Sequence, residues 1–325
     1  MSSSRCKISY PALVIIVQNL TYSKRMELSA VSLVIRKIHQ RLPFSLNSLH
    51  YYQRYGKVDE NGETEEVGSG VLCVESIKYK FCHDETTNQV KITCSLAPKL
   101  IKFSEEKSII KKYFHYFLNS STRTVKHVQI KESDQPFGNL ADLKIPSISW
   151  TLNGSRYYPQ FANFPLQHVF EKLELTNYNS ILLTESHVKT CKHLILRRKA
   201  ICAEYEDGNE ESAINNFYCL LENKKLEVTL GLNYVNSFIL LCDRLLLNVL
   251  HTGSSITAIF KTILPLNVWD TLVKHYEQSR EDTLEGRRCL ILASETHWVV
   301  AVFQNYFNED TIKRESFTAI KMLKE

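Results

Sequence analysis

Histidine and cysteine are the side chains here whose spacing comes nearest to a chemical site. His187, Cys191 and His193 read H-x-x-x-C-x-H, and Cys82, His83 and Cys94 share one short segment. Imidazole nitrogens and thiolates are zinc's preferred ligands, but zinc sites draw them from paired C-x-x-C or from H-E-x-x-H spacings, which neither group has. With CKHLIL read as a strand, Cys191 and His193 fall on one face and Leu194 and Leu196 on the other, which makes His193 a surface side chain rather than a ligand. Nucleophile chemistry has no anchor either. The chain holds no G-x-S-x-G and no S-x-x-K, and no family signature surrounds any of its nine cysteines (Cys6, Cys73, Cys82, Cys94, Cys191, Cys202, Cys219, Cys242 and Cys289). VGSGV, at Val67 to Val71, is a lone G-x-G in a polar stretch, without the strand before and helix after that cradle a phosphate. The residues predict no catalytic group, no metal and no cofactor.

Composition narrows the partners. The 325 residues are 44% hydrophobic and 23% charged, the balance of a globular chain, and long enough for one large domain or two unequal ones. The net charge of +5 is spread among 35 acidic residues with no basic tract, which argues against nucleic acid. An odd number of scattered cysteines fits free thiols in a reducing compartment, and the apolar run Ala12 to Val17 is too short for a secretory signal. The longest apolar run, Ser237 to Leu250, is broken by Asp243 and Arg244 and reads as a core helix with that pair on its solvated side, not as a membrane span. The expected location is intracellular, cytoplasmic or nuclear.

The elements with the strongest start signals lie at residues 9 to 49. Ser9 caps a helix with Pro11 near its first position, and Leu13, Ile16, Val17 and Leu20 follow at i, i+3, i+4, i+7, with Val14 and Ile15 widening the stripe. After a break at Thr21 to Ser23, with Ser23 as the next cap, Leu28, Val31, Ile35, Ile38 and Leu42 keep a helical period up to Pro43. Gly56 to Gly70 is polar and acidic and reads as a loop; VLCVESIKYKF and QVKITCSL alternate as strands; Ser104 opens an amphipathic helix with Glu105 and Glu106 in its first turn.

Further on, apolar runs recur as VKHVQI, IPSISW, FEKLEL and CKHLIL, spaced by 20, 25 and 21 residues, the period of leucine-rich repeats, and Asn177 closes FEKLELTN near the repeat's usual Asn. KKLEVTL, 32 residues after CKHLIL, departs from that period as a fifth strand. Tyr157, Tyr158, Phe161 and Phe164 gather around two prolines, either as a recognition loop or as a plug beneath one. Glu204 to Glu211 is an acidic loop, and strand-like runs after Gly253 end in a polar, Lys-bearing tail.

The Tyr-Pro start, the apolar first helix, the break and MELSAVSLVIRKIHQRLPFSLNSL together resemble the beginning of a nematode-expanded F-box-like family of unknown function, and the likeness extends over most of the chain. Where those relatives carry Arg-Cys-Pro between the second and third helices, this chain has Val31, Ser32 and Leu33, which leaves the two helices free to merge. The resemblance implies an α/β protein: a small helical unit at residues 5–45, then an irregular leucine-rich-repeat-like stack of strands and helices at 46–325. It implies a substrate receptor of a cullin-RING ubiquitin ligase, whose partners are the ligase adaptor and a protein substrate. Pro11, Leu13, Ile16, Val17 and Leu20 of the first helix, with Met26, Leu28 and Ile35, would meet the adaptor in a helix-in-groove mode. The competing expectation is a self-contained α/β protein whose N-terminal helices pack on its own sheet and meet no adaptor.

Overall fold

Leu20 with Thr21, and then Ser32 alone, interrupt the N-terminus and divide it into three short helices. The computed structural model describes residues 8–58, 64–106, 108–118, 123–131, 145–151, 164, 167–176, 180–197, 223–230, 235–246, 252–261, 268–276, 280–284, 287–293, 297–306 and 314–323. Helix α1 (Tyr10–Asn19) starts with Pro11 in its first turn, where no helical hydrogen bond is lost; Ser9 holds the cap position without a capping bond. Thr21, not Ser23, caps α2 (Tyr22–Val31): its hydroxyl accepts from the Lys24 amide at 3.4 Å, and Ser23 lies inside the helix facing Ser76. Nor do the next helices merge. Ser32, at φ −132° and ψ 117°, ends α2 and caps α3 (Leu33–Arg41) by accepting from the Ile35 amide at 3.4 Å. Such a cap contributes about 1 kcal/mol and interrupts the helix without a proline.

Two arginines close the helix ends. Arg25, only 5% exposed, donates to the carbonyls of Gln18 (2.5 Å) and Leu20 (3.0 Å) at the end of α1 and to that of Pro43 (2.9 Å) beyond α3. Arg36 does the same for α2, reaching the Ser29 and Ala30 carbonyls. Carbonyls left over at a helix terminus need such donors, and here one fork ties α1 to the exit of α3.

The chain forms two compact units, Met1–Pro146 and Ser147–Glu325. The division expected at 45/46 falls inside the first unit, because the helices share its core: Tyr22 of α2 packs on Phe44 and on Phe117 of α4 (Ile109–Leu118). The unit's sheet runs in the order β8 (His127–Lys131), β2 (Leu49–Val58), β3 (Thr64–Val74), β4 (Ile77–Asp84), β5 (Gln89–Cys94), β6 (Ala97–Ser104); β8 is parallel to β2 and the rest is an antiparallel meander. Strict alternation buries Leu49, Tyr51, Leu72, Val74, Ile77, Tyr79 and Phe81 on one face, against Phe114, Phe117 and Tyr113 of α4. Gly70 lets that packing close, since a Cβ there would overlap the Tyr52 carbonyl oxygen and press on Ile110. A separate parallel pair joins β1 (Phe44–Leu46) to β7 (Arg123–Val125).

Two expectations change here. The polar stretch 56–70 is mostly strand, because β2 continues to Val58 and β3 begins at Thr64, where cross-strand bonds outweigh polar composition. The helix expected from Ser104 begins only at Ile109, since β6 runs through Ser104; Glu106 lies ahead of it and accepts from Ser108 and Lys112.

In the second unit five strands run parallel: β9 (Ser147–Thr151), β10 (Lys172–Thr176), β11 (His193–Arg197), β12 (Lys225–Leu230) and β13 (Ser255–Lys261). They are the IPSISW, FEKLEL, CKHLIL and KKLEVTL runs plus one more, while VKHVQI supplies β8 of the first unit. Register aligns Ile148, Leu173, Leu194, Leu226 and Ile256 in one buried row and Trp150, Leu175, Leu196, Val228 and Ala258 in the next. A 3-10 turn (Ser180–Thr184) and α5 (Ser186–Thr190) link β10 to β11, and α6 (Val235–Leu246) links β12 to β13. After α7 (Val268–His275) the sheet turns antiparallel through β14 (Arg280–Leu284), β15 (Arg287–Ala293), β16 (His297–Tyr306) and β17 (Arg314–Leu323). The expected polar tail is thus β17, paired on one side with β13 and on the other with β16. The fold is mixed α/β with a helical N-terminus. Asn177, Tyr157, Tyr158, Phe161 and the acidic segment 204–211 lie outside the described residues; Phe164 is buried against Phe170.

Candidate protein-interaction surfaces

Helix α1 is apolar nearly all round, so folding can bury only part of it. Val17 is fully buried, Leu13 and Leu20 are half-buried, and Ile16, Pro11 and the neighbouring Ile15 are exposed. Met26, Leu28 and Ile35 are also half-buried. At the N-terminus the exposed large apolar groups include Ile16 (47%) of the expected stripe and Ile15 (60%) on its flank, and, at the α2–α3 corner, Val31 (82%), Leu33 (62%) and Val34 (51%). Ile15 was visible in sequence only as a widening of the stripe. Leu33 and Val34 fall outside the helical period of Leu28, Val31, Ile35, Ile38 and Leu42 because α3 starts afresh at Ser32 and shifts the phase.

The second surface is the polar face of the parallel strands. Opposite the buried rows, register places Ser147, Lys172, His193, Lys225 and Ser255 in one line and Ser149, Glu174, Ile195, Glu227 and Thr257 in the next. Arg197 bridges the two carboxylates, with Nε 2.7 Å from Glu174 and Nη2 3.2 Å from Glu227, and Ser149 donates to Glu174 at 3.0 Å. Burial raises the Glu174 carboxyl, but Arg197, Ser149 and Lys172 together hold it below the usual glutamate range. His193 is held below its ordinary value by burial and then by Lys172 and Lys225, against weaker opposing pulls from Glu227 and Glu174.

Beneath this sheet, Asn223 fastens the loop before β11. Its Nδ2 donates to the carbonyls of Val188 (2.8 Å), Cys191 (2.8 Å) and Lys189 (3.1 Å). Nothing in the spacing of the apolar runs singled out Asn223.

The H-x-x-x-C-x-H residues do not converge. His187 is buried beside Phe164 and Phe170 with Nδ1 3.0 Å from the His168 carbonyl, Cys191 is buried ahead of β11, and His193 faces outward. Cys191 thus does not share a strand face with His193; its thiol donates to the Val188 carbonyl, and burial pushes it up to about 12. Cys82 is exposed opposite Lys91, while Cys94 pairs with Tyr79 at a position of opposite parity in the sheet. Among the described residues, no three His, Cys, Asp or Glu side chains are grouped to hold a metal, and no helix is long and apolar enough to cross a membrane. The expected solvated side for Asp243 and Arg244 is corrected: Arg244 is buried, and half-buried Asp243 accepts from the Tyr276 hydroxyl at 2.7 Å.

No protein-family model, characterised protein or solved structure matches the chain.

Proposed function

We propose that this is a non-catalytic interaction protein, a substrate receptor of a cullin-RING ubiquitin ligase, with α1 to α3 docking on the adaptor and the parallel-strand face of the second unit receiving a protein substrate. The observation that carries the reading is the group of large apolar side chains left in solvent at the N-terminus, Ile15 and Ile16 on α1 with Val31, Leu33 and Val34 at the α2–α3 corner. Exposed apolar side chains grouped on short helices, with their inner faces already buried, suit a partner's groove. The F-box-like character of residues 9–49 supports the choice of partner. We further read the second unit as an irregular leucine-rich-repeat-like stack: five parallel strands in one register carry apolar rows on one side and mainly polar rows on the other, of which Ser149 and Ile195 are buried, and such stacks bind through a strand face.

Deleting residues 1–45 is a poor test, because it removes Tyr22, Ile38 and Phe44 from the first unit's core. Ile15→Asp with Val34→Asp leaves that core intact. Titration calorimetry of the full chain with purified adaptor should show binding that weakens at least about thirtyfold in the double variant, the loss of one interface anchor. A second reading, in which the helices serve only to cap their own sheet, is favoured by full burial of Val17 and near-full burial of Tyr22. Absence of adaptor binding, or binding indifferent to the two aspartates, decides for it.

A further inference from the structure

The strand face has a distinct chemistry where its strands begin. Ser147, Lys172, His193, Lys225 and Ser255 are register partners across five successive parallel strands. Adjacent strands lie about 4.8 Å apart, so the Lys172 and Lys225 backbones flank His193 at about 10 Å from each other, a gap their flexible four-carbon stems can close over the imidazole. Lys225 is exposed and the other four are half-buried. Among the described residues no carboxylate forms an ion pair with Lys172 or Lys225; Glu174 and Glu227, two residues further along the same strands, are engaged by Arg197, with Lys172 adding a weaker pull on Glu174. Two lysines on the neighbouring strands therefore flank the His193 ring with no described carboxylate ion-paired to either.

We propose that this row binds the phosphate of a phosphoserine or phosphothreonine carried on an extended segment of a protein partner. The inference rests on the strand face being the substrate-binding surface. Phosphate fits better than carboxylate because a near-dianion with three terminal oxygens can accept from two ammonium groups and an imidazole at once, whereas a carboxylate brings only two oxygens and a single charge to the three donors. A nucleic acid fits worse, because its successive phosphates call for cations all along its path, and beyond Lys172 and Lys225 the row holds only Ser147 and Ser255. A phosphorylated segment carries one such charge and can run across the strands within the cationic row. His193 reports occupancy. Lys172 and Glu174 of β10 and Lys225 and Glu227 of β12 face it, and the lysines disfavour its protonation in the free protein. A phosphate over the ring reverses that balance, so its titration midpoint rises on binding.

The test uses the full chain with three probes: an acetylated Ala-phosphoserine-Ala amide, the same peptide with Glu in place of phosphoserine, and a single-stranded oligonucleotide. Calorimetry should show the phosphopeptide binding at least tenfold more tightly than the other two, with at least a tenfold loss in Lys172→Ala/Lys225→Ala and retention in Lys172→Arg/Lys225→Arg. The His193 ring signals, assigned with His193→Gln, should move to a higher midpoint when phosphopeptide is added; this is a cleaner readout than affinity against pH, since the phosphate itself titrates near about pH 6. Equal affinity for the Glu peptide or the oligonucleotide, indifference to the double alanine variant, or an unmoved His193 midpoint overturns the proposal. Adaptor binding of the alanine variant, and phosphopeptide binding of Ile15→Asp/Val34→Asp, separate failure here from failure of the ligase reading.

Discussion

Replacing Arg25 by methionine, which keeps the stem and deletes the fork, asks how much of the helical unit hangs on one side chain. Three charge-assisted hydrogen bonds are lost, to Gln18, Leu20 and Pro43. Each is worth roughly 1.5–3 kcal/mol when both partners stay dry. Two effects reduce the sum. Burial already disfavours the guanidinium charge, and Gln18 and Pro43 are exposed residues whose carbonyls can take up water once the fork is gone. A net loss of about 3 kcal/mol follows, equivalent to roughly 6–12 °C in Tm for a unit of this size. Arg25→Lys should fall between, because a point-like ammonium cannot span three separated carbonyls. Urea unfolding followed by far-UV circular dichroism, with hydrogen exchange of the amides in residues 10–41, measures the effect. Tryptophan fluorescence serves as reference, because Trp150, Trp269 and Trp298 all lie in the second unit. A methionine variant within about 0.5 kcal/mol of the parent, or a lysine variant as damaged as methionine, refutes the clamp.

Two other outcomes follow from burial. Asn223→Ala strips the donor from three loop carbonyls and should cost about 2–4 kcal/mol in thermal melts read by tryptophan fluorescence, and Asn223→Asp should be at least as damaging because a carboxylate would face those same carbonyls; a neutral alanine variant disproves the fastening. In native labelling with a maleimide near about pH 8, exposed Cys82 should be modified at least about a hundredfold faster than Cys191, Cys242 or Cys289, which are buried. Burial holds the Cys191 and Cys242 thiols well above the usual thiol range, so equal rates by mass spectrometry contradict the packing described.

The parts of the fold that were legible were those where burial and sequence period agree. The runs at Ile145, Phe170, Cys191 and Lys225 all lead into strands because a sheet with one apolar face imposes period two on each. β17 was not legible: its core positions include Ala319 and the buried Lys321, so a strand paired on both sides carries the composition of a tail. The hairpin ends of β2 and β3 were hidden by acidic residues and glycine, and the helix break at Ser32 by the absence of proline. The cationic row was least visible of all. Its members are far apart in the chain and become neighbours only through parallel register, which no local pattern encodes.

β17 is the last of the second unit's strands in chain order, yet it lies between β13 and β16. During synthesis, those two strands leave the ribosome while each still lacks the neighbour it shares with the other. A nascent chain stalled before residue 314 offers two unpaired edges, the form of strand most ready to recruit other chains into aggregates. The antiparallel part of the sheet joins the parallel part only through the ten residues of β17, so its closure waits on the strand that follows all the others it depends on.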